Sequence, residues 1–161
     1  MSTRRVWDLD ADHIQVSEGR VFYTFSSGAA THANMKSMIR NVHDFVHASD
    51  LPVGYVLHLS SNARPPISQD RDRATAMFNA CGTRLAGVAL VVDASGFTGA
   101  LLRGASNAVF IMQRRAFTPR VFESIQDAAD WLAPKVNMLP AQVVMLARRT
   151  REHLSTGKAI E

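Results

Sequence analysis

Residues 85–93 read LAGVALVVD, a continuous run of small and apolar side chains that ends at Asp93. A strand that is apolar on both faces is typical of the middle of an α/β sheet, where helices cover both faces. The segments on either side of this run have the apolar spacing of amphipathic helices. The run therefore predicts a buried central strand and an α/β fold.

The composition is that of an ordinary folded domain. The chain has 161 residues, of which 47% are hydrophobic and 20% charged, enough for one domain with a sizeable core. No apolar run approaches the roughly 18 residues that span a bilayer, and the N-terminus lacks the apolar stretch of a signal peptide. A single cysteine, Cys81, excludes an internal disulfide. We expect a cytoplasmic protein that needs no cofactor.

The net charge of +4 is unevenly distributed. Residues 51–120 hold eight Lys/Arg and three Asp/Glu, a balance of +5, whereas the two flanking segments are nearly neutral. No dense Lys/Arg run accompanies this excess, and nucleic-acid binders usually carry one. Nucleic acid is therefore not an expected partner.

The N-terminal part predicts strands followed by a helix. His13–Val16 and Arg20–Phe25, joined by a turn at 17–19, have the composition of a β-hairpin, and an edge strand is expected from Arg4 to Leu9. From Thr31 the apolar period changes to that of a helix of about 18 residues. Its apolar stripe consists of Met35, Met38, Ile39, Val42, Phe45 and Val46.

A second strand–helix unit follows. Val53–Leu59 predicts a strand, and the loop 60–66 is long for a strand-to-helix connection. Ser68 is the expected N-cap of the next helix, and Gly82 is its expected end. The buried face of this helix is predicted to hold Ala74, Met77, Phe78, Cys81 and Leu85.

The C-terminal part predicts three more helices and one strand. Residues 97–112 form a stripe rich in glycine and alanine that would pack closely against the sheet, a second subunit or a bound molecule. A short strand at Arg120–Phe122 precedes a helix capped by Ser124, and a last helix runs from Pro140 to about residue 154. Trp131 is expected to anchor its helix on the sheet, and Trp7 is expected to be exposed.

The segment RVFESIQDAADWL at 120–132 resembles the C-terminal pattern of the SpoIIAA-like (STAS/SEC14-like) family, a short strand followed by F-x-[ST]-x-x-x-A-x-x-W-L. Phe122, Ser124, Trp131 and Leu132 stand in the corresponding places. The segment LAGVALVVDASGF at 85–97 is similar to the third core strand of that family and the turn after it.

This resemblance covers roughly residues 12–135. It implies an α/β fold with a single mixed sheet of about five to six strands, covered by four to five helices. We expect the SpoIIAA-like domain to occupy 1–136 and a C-terminal helix and tail to occupy 137–161.

Two departures from the family pattern concern the end of the strand at Val53–Leu59 and the loop that follows it. His58 stands where family members commonly carry an acidic residue. The anti-sigma-factor antagonists of the family present a phosphorylatable serine in Asp-Ser-Ser/Thr-Gly, whereas here Ser60, Ser61 and Asn62 precede an Ala-Arg-Pro-Pro insertion. Ser61 is therefore a candidate phosphorylation site. The alternative is that both serines hydrogen-bond to the loop backbone.

No catalytic or metal-binding pattern is evident. His43 and His47 are spaced i, i+4, but no acidic third ligand shares their face of the helix, so no metal site is expected. Cys81 lies on an apolar stripe and is expected to be inert. Ligands of open α/β sheets bind beyond the carboxyl ends of the strands. The candidate ligand or partner face there consists of His58, Ser60, Ser61, Arg64, Asp93, Ser95 and Phe97.

The leading functional hypothesis is a non-enzymatic regulatory module of STAS-like type that binds a protein partner. The alternative, which the SEC14-like label implies, is a binding protein for an apolar or amphipathic small molecule. The glycine- and alanine-rich stripe at 97–112 and the apolar face of the last helix also predict a homodimer.

Overall fold

A computed structural model describes residues 3–64, 67–93 and 120–157. Within these residues, six strands form one mixed sheet whose spatial order follows the chain, and four α-helices cover it. The predicted fold class is therefore confirmed. The strands are β1 (Arg5–Leu9), β2 (His13–Glu18), β3 (Val21–Ser26), β4 (Val53–Ser60), β5 (Leu85–Asp93) and β6 (Arg120–Phe122). The helices are α1 (His32–Ala48), α2 (Ser68–Cys81), α3 (Ile125–Leu132) and α4 (Pro140–Thr156).

Strands β1 to β3 are antiparallel, and β3 to β6 are parallel. The β2–β3 ladder extends to the pair Glu18–Val21, so the hairpin turn consists of Gly19 and Arg20 rather than residues 17–19. Gly19 has a φ of 60°, which a residue without Cβ adopts at little cost. Strand β5 lies between β4 and β6, as the apolar run at 85–93 predicts.

Helices α1 and α2 cover one face of the sheet. The apolar stripe of α1 packs with Phe22 of β3 and Tyr55 of β4, and α2 contributes Ala74, Met77, Phe78 and Cys81 to the same core. Thr31 caps α1, because its hydroxyl accepts a hydrogen bond from the Asn34 N–H at 3.1 Å. These two helices follow the predicted spacing of apolar residues.

Helices α3 and α4 cover the opposite face. Leu132 of α3 and Leu146 of α4 are fully buried against Val56, Ala89 and their neighbours. Gly54 and Gly87, which are register partners on β4 and β5, lie beneath Leu132. A Cβ built on either glycine would lie 2.9 Å from a Leu132 side-chain carbon, so only glycine allows this close approach.

Buried polar side chains connect α1 to the β1–β2 edge of the sheet. Asn41 of α1 donates to the Gln15 Oε1 at 3.0 Å, and the Gln15 amide lies 2.7 Å from His13 Nε2. Ser37 of α1 donates to Asp8 of β1. Because buried polar groups are costly when unpaired, this network requires α1 and β1 to stay in this relative position.

Three residues with predicted local roles, Ser68, Trp7 and Trp131, lie in settings that the sequence did not fully predict. The residue before α2 is Ile67, and Ser68 is the first helical residue and makes no cap. Trp7 is half-buried rather than exposed, because its ring packs against Phe22 and Phe45 and its N–H donates to the Ser17 hydroxyl at 2.8 Å. Trp131 is half-buried at the margin of the core, where it packs against Phe122.

The last helix shares the core of the sheet. Val143, Leu146 and Ala147 of α4 are buried with the side chains of β2 and β3, so the apolar face of α4 is already covered. The predicted helix at 97–112 lies outside the described residues. Among the residues that the structure does describe, no helix combines the length and apolar character that a membrane crossing requires.

We expect Gly54→Ala to lower the free energy of unfolding by about 1–3 kcal/mol, because the added methyl group displaces Leu132 from the sheet. Gly28→Ala is the matched control: the three atoms nearest to its Cβ all belong to the side chain of the exposed Asp12, and a surface change of this kind costs about 0.5 kcal/mol or less. Urea-induced unfolding of both variants measures the difference. Equal losses would contradict the close packing of Leu132 on Gly54.

Candidate functional site

The carboxyl ends of the parallel strands bring several predicted site residues to one edge of the sheet. Ser60 and Asp93 are register partners at the ends of β4 and β5, and His58 lies two residues before Ser60. Parallel pairing thus assembles residues that are more than 30 positions apart in the chain. Of the predicted face, Ser95 and Phe97 lie outside the described residues.

His58 is completely buried and bonded at both ring nitrogens. Its Nδ1 lies 2.7 Å from the Tyr23 hydroxyl, and its Nε2 lies 2.7 Å from Asp93 Oδ2. A carboxylate only accepts hydrogen bonds, so Nε2 carries the proton and Nδ1 accepts from Tyr23. These bonds form a relay in which Tyr23 donates to His58 and His58 donates to Asp93.

The two buried members of the relay, Tyr23 and His58, are uncharged. Burial lowers the pKa of His58 below its ordinary value, although the nearby Asp93 carboxylate opposes this shift. Burial also raises the pKa of the Tyr23 hydroxyl. An uncharged imidazole and an un-ionised phenol are the stable forms, and Asp93, with 31% of its side chain exposed, is the member that solvent reaches.

Sequence reasoning identified His58 and Asp93 but missed two of their neighbours. Tyr23 was assigned only to an apolar strand, and Arg151 only to the end of the last helix. The Arg151 guanidinium lies 3.7 Å from Asp93 Oδ2 and 5.4 Å from the centre of the Phe25 ring. A polar residue such as His58 within an apolar strand was the available signal, since a buried polar side chain requires partners.

A groove of about 610 Å³ runs between α3 and α4 beside this relay. Its floor is apolar, and charged side chains of α4 form its rim. Two ion pairs lie along this rim: Arg148 is 3.8 Å from Glu152, and Arg151 is close to Asp93. The charges of the rim are therefore largely paired. The residues that line it are Phe25, Ile125, Val144, Ala147, Arg148, Arg151, Glu152 and Ser155.

The loop after β4 has a fixed backbone and exposed side chains. The Ser60 hydroxyl donates to the Ser27 carbonyl at 3.2 Å and accepts from the Asn62 N–H at 3.4 Å. Arg64 pairs through its backbone with Ala29. The side chains of Ser61 and Arg64 are exposed. Pro65 and Pro66 lie outside the described residues.

A second polar pair, which the sequence did not suggest, joins the beginnings of α1 and α2. The Asp70 carboxylate has 3% of its side chain exposed, and it lies 2.8 Å from His32 Nδ1 and 3.6 Å from an Arg73 nitrogen. Asp70 lies in the first turn of α2, where a negative charge suits the helix dipole. Its burial and its contact across the helices show that it also ties α1 to α2.

The remaining chemical candidates of the sequence are the histidine pair on α1 and the thiol of Cys81. The rings of His43 and His47 lie 4.2 Å apart, centre to centre, and the described part of the chain contains no cluster of three metal-ligating side chains. Cys81 is buried beside the Met77 sulfur at 3.7 Å, and burial raises the pKa of its thiol. A thiol in this setting is poorly reactive.

We expect the protein to lose stability as the pH falls from about 7 towards 5. The pKa of His58 and that of His13 are both lowered by burial, so the unfolded chain, with histidine values near 6.5, binds more protons in this range. His58→Gln should be less stable than the wild type at neutral pH, but its stability should fall less steeply as the pH is lowered. The two slopes should differ by at most about 1.4 kcal/mol per pH unit, the contribution of one proton. Denaturant titrations at a series of pH values measure this slope.

The same titrations test the protonation state of the relay. If His58 were an imidazolium paired with Asp93, the wild type would gain stability as the pH fell through the histidine range, and His58→Gln would abolish that gain. Such a result would contradict the neutral relay. His13→Gln serves as the comparison, because it removes the other buried histidine and leaves the relay intact.

Comparison with known proteins yields a likeness of fold. This chain is similar to the crystal structure of an uncharacterized protein of the DUF3478 family with a SpoIIAA-like fold from Shewanella loihica PV-4. The two are 16% identical, with a TM-score of 0.49, over 82% of this chain and 95% of that one. No family model and no curated protein matches the sequence.

Proposed function

We propose that this chain is a non-enzymatic regulatory module that binds a protein partner at its carboxyl-end surface, defined here as Ser61, Asn62, Arg64 and Asp93. The observation that carries this proposal is the closed relay of Tyr23, His58 and Asp93. These side chains are of catalytic types, but they satisfy one another, and His58 is 0% exposed. A general base must reach its substrate, and this imidazole is enclosed.

The loop that carries Ser61 and Arg64 is suited to recognition. Its backbone is held by the Ser60 hydroxyl and by the pairing of Arg64 with Ala29. A loop that is already ordered loses less conformational entropy on binding. Its exposed guanidinium can form a bidentate contact with a partner carboxylate.

Ser61 provides a means of regulation. Its exposed hydroxyl lies three residues before Arg64, and the anti-sigma-factor antagonists of the SpoIIAA-like family, which the sequence resembles, carry a phosphorylatable serine in the corresponding loop. Phosphorylation would add about −1.5 to −2 charges at neutral pH to this surface. We expect the added charge to reduce the attraction of Arg64 for an acidic partner. Homodimer formation and a cytoplasmic location remain further parts of this proposal.

Site-specific photo-crosslinking in cells tests the partner proposal. A photoreactive amino acid at position 61 should capture one protein repeatedly, whereas the same amino acid at Arg149, which is exposed on α4, should not. The captured protein, once purified, should bind the wild-type chain and bind Arg64→Glu at least about tenfold more weakly, because a repulsion replaces an attraction.

Arg149→Glu is the matched charge control for this binding measurement. It should leave the affinity for the captured protein unchanged, and circular dichroism should show the wild-type helix content for both variants. Equal capture at positions 61 and 149, or equal affinity of Arg64→Glu and the wild type, would overturn the proposal.

The second candidate function is binding of an amphipathic small molecule, and the groove between α3 and α4 favours it. Its volume of about 610 Å³ falls within the range of ligand sites, roughly 300–1,000 Å³. Phe25, Ile125 and Val144 provide an apolar floor, and Arg148 and Arg151 stand at its rim. A carboxylate headgroup would compete with Glu152 and Asp93 for these arginines.

Dodecanoate is a suitable probe of this groove. We expect isothermal titration calorimetry to show binding to the wild type and none to Val144→Asp, whose charge would lie on the apolar floor. Ala141→Asp, at an exposed position of the same helix, should bind dodecanoate as the wild type does. Absence of heat with the wild type, or equal binding by Val144→Asp, would exclude this second function.

A further inference from the structure

A second groove, which we call the α1–α2 groove, lies between the two helices on the other face of the sheet. Its volume is about 580 Å³. It is lined from α1 by His32, Lys36 and Ile39 and from α2 by Asp70, Arg73, Ala76 and Met77. Spacings of three, four and seven residues place each of these sets along one side of its helix.

The outward charge of the α1–α2 groove is positive. Among the described residues that line it, the one carboxylate is Asp70, which is almost completely buried and is held between His32 and Arg73. Lys36 and Arg73 are exposed. Asp72 is also exposed and precedes the lining residue Ala76 by four positions, so it lies beside the groove, whereas Asp44 lies on another side of α1 by the helical period. A molecule that enters this groove therefore meets cations at its rim.

The floor of the groove is apolar. Met77 is buried, Ile39 is half-buried and Ala76 is exposed. A methionine side chain adapts its shape to different apolar partners. From His32 to Ile39 the groove extends for about 10 Å along α1, which is two helical turns. This is the length over which a bound helix presents apolar residues at i, i+3 and i+7.

The groove begins next to the carboxyl-end surface. Ile67, the residue before α2, has 62% of its surface exposed and follows the loop of Ser61 and Arg64. An isolated exposed isoleucine is unremarkable, but this one lies between a cationic loop and a cationic groove. Ala29, which pairs with Arg64, lies three residues before His32 of the groove lining, so the loop and the groove begin at the same edge of the sheet.

We infer that the α1–α2 groove binds an acidic amphipathic helix of the partner protein, with its apolar residues on Ile39, Ala76 and Met77 and its carboxylates on Lys36 and Arg73. This inference rests on the proposed protein-binding function and names the chemistry of the partner. Charge complementarity selects the occupant: an excess of carboxylates is attracted, whereas a basic segment is repelled. A flat membrane surface would not reach the floor of a groove between two helices.

The test uses a fluorescein-labelled peptide of about three to four helical turns, with leucine at i, i+3 and i+7 and glutamate beside these positions. Fluorescence anisotropy should show binding to the full chain. Binding should weaken at least about tenfold for the double variant Lys36→Glu and Arg73→Glu. It should also weaken when the salt is raised from about 0.05 M to about 0.5 M.

Matched controls separate the groove from overall charge. The double variant Lys135→Glu and Arg149→Glu changes the net charge by the same amount on the opposite side of the sheet, and it should bind the peptide as the wild type does. A peptide with lysine in place of glutamate should not bind. Lys36→Glu alone leaves the Asp70 contacts in place, so it tests the groove even if loss of Arg73 destabilises the fold.

Three results would overturn the inference: equal binding of the acidic peptide by both double variants, equal binding of the acidic and basic peptides, or no binding by the wild type. Binding of phosphatidylglycerol vesicles or of an oligonucleotide, lost in Lys36→Glu while the peptide does not bind, would assign the cations to another class of partner. Capture at position 61 without peptide binding would leave the proposed function intact and remove only this inference.

Discussion

Leu132 fills the space left by two missing side chains, and this contact determines how the layers of the molecule meet. Gly54 and Gly87 are register partners on β4 and β5, and a Cβ on either one would lie 2.9 Å from Leu132. Helix α3 therefore lies close against the sheet at the amino ends of β4 and β5. The chain then turns through Ala133–Val136 and returns as α4, which brings Arg151 to the carboxyl end of the sheet.

The face of the sheet that α3 and α4 cover is apolar at the amino ends of its parallel strands and polar at their carboxyl ends. At the amino ends, the side chain of Leu132 packs on Gly54 and Gly87. At the carboxyl end, Tyr23, His58 and Asp93 fill the space under α4. A buried imidazole without partners would cost several kcal/mol, and the relay provides a partner for each ring nitrogen. The hydrogen bonds that offset the cost of burying His58 also enclose its ring. We therefore propose a structural role for His58 and no chemical one.

Much of the fold could be predicted because each element repeats its pattern over many residues. The run at 85–92 holds only small and apolar residues, and the stripes of α1 and α2 recur at helical spacing, so single exceptions do not obscure them. The prediction of where an element ends rests on a single residue, so it is less reliable than the prediction of the element itself. Ser68 has the chemistry of a cap, yet Ile67 is the residue that precedes α2.

The candidate site was harder to predict because it depends on register and on contacts between distant elements. Nothing local to Tyr23 indicates that its hydroxyl meets His58, which is 35 residues away. Trp7 was expected to be exposed because it lies near the N-terminus, but pairing of β1 with β2 carries it onto Phe22 and Phe45. His32 and Asp70 likewise meet only because α1 and α2 lie side by side.

The two grooves differ in how their charges are balanced, and this difference bears on what each can bind. Beside α4, Arg148 faces Glu152 and Arg151 faces Asp93, so a ligand there must break existing pairs and gains little net attraction. Between α1 and α2, Arg73 is also paired, since it lies 3.6 Å from Asp70, but that carboxylate is buried. Lys36 is exposed, and the described lining of the groove holds no carboxylate besides Asp70. An acidic ligand therefore gains attraction from Lys36 without having to break an ion pair between exposed side chains of the lining. Electrostatic steering acts on such unbalanced charge, so we expect the α1–α2 side of the molecule to direct the approach of a macromolecular partner.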